Sequence, residues 1–239
     1  MQRITFRKII KAILPYGLVY AYRYFKNTNY CPVCNKRSFF TPFGIVPRQR
    51  AQCCVCGSLE RHRFLWLVIN RRNIFNSSTR VLHIAAEPCL QKKISEKCRG
   101  GYLTADLNNP NAMVEMDITN IEYPDESFDI IICNHVLEHI VDDRKAINEL
   151  KRVAKKNGTV VLMVPIIREK TEEDFSINTP EGRLKAYGQG DHVRACGKDY
   201  VDRIRSSGFN VEIINETTLK PSEIKKYHLI NDEVFLCTK

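Results

Sequence analysis

From about residue 79 onward the chain alternates short apolar runs with helical patterns, and this alternation constrains the fold more than any other feature. The runs are RVLHIA at 80–85, GYLTAD at 101–106, FDIIIC at 128–133, TVVLMV at 159–164, NVEII at 210–214 and EVFLC at 233–237. Between them, residues 142–155 have an acidic start, a basic end and Asn157-Gly158 as the expected stop, and residues 198–207 end at Gly208. Strand and helix in alternation predict an α/β protein with a parallel or mostly parallel sheet covered on both faces. In such sheets ligands bind outside the carboxyl ends of the strands. The residues just after each strand are therefore the ones to read.

After the first run come Ala85, Ala86, Glu87 and Pro88, within VLHIAAEPCL at 81–90. Many nucleotide-binding folds carry a glycine-rich loop at such a strand–turn–helix junction, and here there is no glycine. Ala85 is small enough for the backbone to approach a ligand, costing only a methyl, provided that its φ is negative. Pro88 presets a first helical turn. Asp106 and Leu107 follow the second run, and an acid there can take both hydroxyls of a ribose. Asp117 and Ile118 end the next short stretch. An acid followed by an aliphatic can accept from an adenine amino group while the side chain packs on the ring. Asn134 and His135 follow FDIIIC. An acid at a strand end is often only a cap; three aligned along one sheet edge carry more weight.

The N-terminal third has a different character. Residues 1–75 hold 14 of the 37 Lys and Arg but a single acid, Glu60, while the other 164 residues are slightly acidic. That third is what should meet an anionic surface. It also holds CPVC at 31–34 and CCVC at 53–56, so that Cys31, Cys34, Cys53 and Cys56 read C-x2-C-x18-C-x2-C. Four thiols in two close pairs suit tetrahedral zinc, and the absence of His or carboxylate partners makes the site structural. The span between the pairs reads as a short hairpin, and Cys54 lies at the wrong spacing. No small-residue cleavage site follows the basic start, and the apolar run from Ala12 to Ala21 is too short to span a bilayer. A reducing cytoplasm is the expected compartment, where paired cysteines are more often metal ligands than disulfides.

GSLERHRFLWLVINRR follows the second pair. Ser58 is the expected N-cap of a helix with an apolar stripe of Leu59, Leu65, Trp66 and Ile69. Arg61, His62 and Arg63 form either a solvated face beside the ribbon or an anion or substrate contact. Residues 1–26 read as a basic amphipathic element, helical from Thr5 to Leu14 and interrupted at Pro15-Tyr16-Gly17. Its apolar face docks either on the protein's own core or on an anionic membrane, on the inner face of which the protein would then sit.

The stretch DITNIEYPDESFDIIICNHVLEHIVDDRKAINELKRVAKKNGTVVLMVP, residues 117–165, resembles the centre of class I S-adenosylmethionine-dependent methyltransferases, in particular the branch of the ubiquinone and menaquinone methyltransferases. DHVRACGKDYVDRIRSSGFNVE, residues 191–212, is similar to that branch's penultimate helix–strand unit. With its two cysteine pairs, GSLERHR and DHVR, the chain resembles a bacterial subgroup of such methyltransferases. The resemblance implies a Rossmann-like sheet over 76–239, preceded by a zinc-ribbon module and its helix over 27–75. It makes Ala85, Ala86 and Glu87 part of the first cofactor motif, in which His83 stands where an acid is expected. Glu87 would then supply the missing carboxylate to the cofactor's ammonium. Asp106 and Leu107 would serve the ribose, Asp117 and Ile118 the adenine, and Asn134 and His135 the methionine part.

Methyl transfer from a sulfonium is an in-line displacement, in which alignment, exclusion of water and removal of an acceptor proton matter. His192 is the candidate base, with Asp191 to steady it, and Arg194 is a candidate for a phosphate or carboxylate on the acceptor. His139 reads as structural or lid-facing. Residues 166–190 are charged and poor in aliphatics, as an acceptor-side lid would be. Three functions stay open: an O- or N-methyltransferase for a small or lipid- or sugar-linked acceptor, a zinc-ribbon RNA base methyltransferase, and a non-enzymatic protein that keeps the fold. Against the RNA reading, no Asn-Pro-Pro-Tyr-type motif follows the fourth strand.

Overall fold

The computed structural model describes Leu18, residues 29–230 and residues 232–239. The expectation for residues 1–26 falls almost wholly outside them. Two small hairpins come first. Strands β1 (Asn29–Cys31) and β2 (Lys36–Ser38) pair antiparallel, as do β3 (Phe40–Phe43) and β4 (Arg48–Cys53). Helix α1 (Glu60–Arg71) follows.

The main sheet is built from β5 (Val81–Ile84), β6 (Tyr102–Asp106), β7 (Val114–Glu115), β8 (Phe128–Asn134), β9 (Ala154–Met163), β10 (Asn210–Ile214) and β11 (Val234–Thr238). Its order is β10-β11-β9-β8-β5-β6-β7, and only β11 runs against its neighbours. The chain moves outward from β5 in one direction through β6 and β7, then returns to β8 on the other side. That reversal is the topological switch point, the place where open α/β sheets bind their ligands at the carboxyl ends of the strands. The mostly parallel sheet expected from the alternation is the one observed.

Strand residues alternate between two cores, as a pleated strand buried on both faces requires. Val81, Ile130, Ile132, Val161, Met163, Val234 and Leu236 face one core, with α1 and α2 (Pro88–Cys98) packed over them. Leu82, Ile84, Ile131, Cys133, Val160, Leu162, Phe235 and Cys237 face the other, under α3 (Asp143–Val153) and α5 (Tyr200–Ser206). The segment 166–190 holds α4 (Pro180–Tyr187), and α6 (Pro221–Tyr227) lies against the first core. Cys31, Val33, Phe40 and Cys53 belong to that same core. The cysteine-bearing hairpins and the sheet thus share buried apolar surface through α1.

Two expected boundaries differ. The chain passes from α3 into β9 at Ala154, and Asn157-Gly158 lies inside the strand, where pairing with β8 slips between Phe128 and Ile130. A Cβ on Gly158 would meet the Asp129 carbonyl oxygen at 2.9 Å, so glycine serves close approach here and not a helix stop. The N-cap of α1 is Leu59. The Ser58 hydroxyl instead lies 3.2 Å from both Cys31 Sγ and Cys56 Sγ, which draws it away from capping.

Candidate functional site

The turn after β5 is held without glycine. Ala85 has φ +47°, the left-handed region, so the negative φ on which alanine would have been free of strain is not adopted. Its amide donates to the Ala105 carbonyl at 2.8 Å, which fixes the turn. The left-handed conformation costs an alanine on the order of 1 kcal/mol. His135, after β8, is also left-handed at φ +53°, with its amide on the Met163 carbonyl. Both strands beside the switch point therefore leave the sheet through strained non-glycine residues. Such strain persists where surrounding structure enforces it.

Pro88 opens α2 with Glu87 as N-cap residue, but the Glu87 side chain does not cap its own helix. It turns toward His83, whose Nε2 lies 2.7 Å from Glu87 Oε2, while His83 Nδ1 lies 2.8 Å from the Tyr102 hydroxyl. With the tyrosine donating to Nδ1, the ring presents Nε2–H to the carboxylate. Asn134 Nδ2 donates to Glu87 Oε1 at 3.3 Å. Burial works against the charge on Glu87, yet the hydrogen bond from His83 holds its carboxyl down at about 2. The residue standing in the expected acid's place thus anchors a neighbouring acid.

Along β6 and β7 the acids are partly committed to local turns. Asp106 Oδ1 accepts from the amides of Asn108 and Asn109 at 2.9 Å, and Asp117 Oδ1 accepts from the amide and hydroxyl of Thr119. Leu107 is exposed, and Ile118 is buried in the second core.

The loop after β8 contains a 3-10 turn, Leu137–His139, that sequence reading did not foresee. It turns Glu138 fully inward, with Oε1 3.2 Å from His135 Nδ1 and Oε2 without a partner. The 3-10 geometry brings residues three apart side by side, so the spacing of His135 and Glu138 was the signal that could have found it. His192 is 6% exposed, its Nδ1 has no partner, and its ring meets His139 edge-on at 4.7 Å. Burial lowers its pKa from the ordinary value, which favours the neutral imidazole. One ligand atom from each of Glu138, His139 and His192 lies within 4.8 Å of the others.

Two expected roles take a different form. Asp191 makes its close contact with His139, Oδ2 lying 3.4 Å from Nδ1, and acts on His192 through its charge alone, after that of Glu138. Arg194, expected to meet an acceptor anion, is 1% exposed. It donates to the carbonyls of Leu137, Ile140 and Val141 and to Glu173, which consumes its guanidinium in holding the Glu138 loop. Arg63 does the same for the N-terminal hairpins, donating to the carbonyls of Ala51, Ser58, Tyr227 and His228.

Beyond His135, at the ends of β9 and before β11, opens a cavity of about 690 Å³. Arg61, His135, Arg168, Lys198 and Asp232 are among its lining residues. Burial pushes the Asp232 carboxyl up to about 6.

The four cysteines meet as their spacing requires. Cys31 and Cys56 Sγ lie 3.6 Å apart, Cys34 and Cys53 Sγ 3.9 Å, and all four fall within 4.8 Å of one another without disulfides. Tetrahedral zinc with bonds of about 2.3 Å separates its sulfurs by about 3.8 Å. The donor set and its dimensions fit that ion. Hydrogen bonds among the four sulfurs act oppositely on the two inner cysteines, raising the Cys31 thiol and lowering that of Cys53.

This sheet, with its single reversed strand and ligand-facing switch point, has the fold of class I S-adenosylmethionine-dependent methyltransferases, and residues 67–162 match the family described as a methyltransferase domain. Among curated relatives, the uncharacterized methyltransferase YcgJ of Bacillus subtilis is 43% identical over 75 residues, covering 31% of this chain and 28% of that protein. The demethylmenaquinone methyltransferase of Clavibacter sepedonicus is 29% identical over 104 residues, covering 44% and 38%. The chain thus spans well under half the length of these relatives. The structure of the [4+2]-cyclase SpnF superposes with a TM-score of 0.53 at 13% identity, covering 84% of this chain and 86% of that one. One fold therefore carries different chemistries, and the site has to supply the reaction. No helix among the described residues is long and apolar enough to cross a membrane.

Proposed function

We propose that the protein transfers a methyl group from S-adenosylmethionine to an oxygen or nitrogen atom of a small or lipid- or sugar-linked acceptor. The observation that carries this reading concerns buried side-chain polar atoms lacking a hydrogen-bond partner. Of eight such atoms among the described residues, seven belong to Arg61, His62, Asn134, His135, Glu138, His192 and Asp232, around the carboxyl ends of the sheet. Each costs about 1–3 kcal/mol if left unsatisfied. Their concentration on a methyltransferase fold supports a ligand site there.

In this reading Asp106 Oδ2 takes the ribose hydroxyls beside Leu107, and Asp117 and Ile118 flank the adenine. The Ala85–Ala86 turn lets the backbone approach, and Glu87 takes the ammonium, with Asn134 and His135 beside it. Bound there, S-adenosylmethionine supplies an electrophilic methyl group. His192 accepts the acceptor's proton at Nδ1, Glu138 supports it from within, and Arg194 keeps the Glu138 loop in place. One structural zinc on Cys31, Cys34, Cys53 and Cys56 fastens the N-terminal hairpins.

The test is to incubate the full chain with methyl-labelled S-adenosylmethionine and a cell extract, then locate the label by mass spectrometry. Label is expected in a small molecule or lipid, falling by about 100-fold or more with His192→Ala. The acidic limb of the parent's kcat/KM profile should lie below the ordinary imidazole value of 6.5, because burial lowers the His192 pKa. Label in RNA, or none above background, contradicts the proposal.

A further inference from the structure

In the stretch GSLERHR, Glu60 is paired with Arg48 at 3.1 Å and Arg63 is spent on four carbonyls, but Arg61 and His62 have no such explanation. His62 is 8% exposed. Its Nδ1 accepts from the Leu59 amide at 3.1 Å, and burial pushes its pKa down to about 4, so the ring is neutral and its one hydrogen sits on Nε2. That buried N–H has no acceptor in the protein, and neither has the buried Nε–H of Arg61.

Their position is fixed by contacts with the cofactor side of the sheet. His62 Nδ1 lies 3.4 Å from Cys89 Sγ in the first turn of α2, and Glu87 is the leading opposite charge acting on the ring. Arg61 and His135 line the same cavity. His62 thus lies within reach of the Glu87 charge, and Arg61 beside His135, which follows Asn134 at the end of β8. The Nε2–H of His62 and the Nε–H of Arg61 meet no acceptor, although the charge of Arg61 also reaches the buried Asp232 carboxyl. The amino end of α1 adds its dipole, which favours an anion. An α-amino acid moiety has the charges that such an arrangement complements: an ammonium for Glu87 and a carboxylate for Arg61 and His62.

We infer that Arg61 and His62, carried by the helix of the N-terminal cysteine module, grip the carboxylate of the cofactor's methionine end. This rests on the cofactor reading above. It explains how a first motif without glycine holds its ligand: the polar contacts that backbone amides of a glycine-rich loop would make are supplied by side chains from a neighbouring element. It also gives the cysteine module a part in the cofactor site.

The experiment compares two ligands by calorimetry on the full chain: S-adenosylhomocysteine and the same thioether lacking only the carboxylate, 5′-(3-aminopropyl)thioadenosine. The parent should prefer S-adenosylhomocysteine by at least 30-fold. Arg61→Met should cut that preference at least tenfold while leaving the affinity for the aminopropyl compound within about twofold. His62→Asn, which keeps an acceptor near the Nδ1 position and removes Nε2, should do the same, and Arg61→Lys should recover part of the preference. The unchanged affinity for the aminopropyl compound shows that a variant is folded. If both variants keep the parent's preference, or weaken both ligands equally, the inference is wrong. If the parent binds neither ligand, the cofactor reading falls and takes this inference with it.

Discussion

The two flanks of the sheet's switch point handle their polar groups in opposite ways. On the β6–β7 flank, Asp106 and Asp117 spend one carboxylate oxygen each on turns two or three residues downstream. These acids are held in place by local sequence, at an exposed edge. On the β5–β8 flank, Glu87 is fixed by His83 of its own turn and by Asn134 from β8, and His83 is held in turn by Tyr102 from β6, while Glu138 meets His135 within one buried loop. There the buried donors and acceptors outnumber their partners. A site assembled from local turns tolerates solvent; one assembled from distant elements depends on the packing that joins them. The two flanks should therefore respond differently to the same insult.

The largest effect should come from the cysteine site, whose hairpins share a core with the sheet. Elemental analysis of protein purified without chelator should give one zinc per chain. Cys53→Ser should lower the melting temperature by roughly 10 °C or more, corresponding to several kcal/mol. Since the first turn of α1 lies against α2 through His62 and Cys89, cofactor affinity should fall in that variant even below its melting range. A variant that melts lower but binds S-adenosylhomocysteine as the parent does would show that the module does not serve the site.

Next come the two carboxylates. Glu87→Gln removes a charge held by a buried network and should weaken S-adenosylhomocysteine about 100-fold in calorimetry, close to 2.7 kcal/mol. Asp106→Ala, at the exposed edge, should cost about 2 kcal/mol, or roughly 30-fold. Equal affinities for the Asp106 variant and the parent would remove the ribose assignment.

These differences track what the sequence made legible. The strands and their order of burial follow from apolar periodicity, and the Asp106 and Asp117 positions follow from counting to strand ends. Glu87 was legible as a substitute for the missing acid because it lies four residues from His83 in the same turn. Glu138 was not, because a full helical turn would have carried it past the site, whereas the 3-10 turn brings it back. The fate of Arg194 was also hidden: it depends on carbonyls more than fifty residues earlier, Leu137, Ile140 and Val141, whose orphaned oxygens only the folded loop collects. Long side chains that clamp backbone look, in sequence, like side chains waiting for a ligand.

The smallest effect concerns strain. Ala85→Gly relieves the left-handed turn but loosens the unfolded chain, so the net gain in stability should be about 0.5–1 kcal/mol, a rise of roughly 2–4 °C in melting temperature. No gain, or a loss, would mean that the methyl group of Ala85 makes a packing contribution as large as the strain.

The central claim is that a crevice without a glycine-rich loop binds S-adenosylmethionine through side chains gathered from several elements. Calorimetric titration of the full-length parent protein with S-adenosylhomocysteine tests it most directly. The account expects one site per chain and a matching rise in melting temperature with ligand concentration. Absence of both heat and stabilisation at millimolar ligand would contradict it.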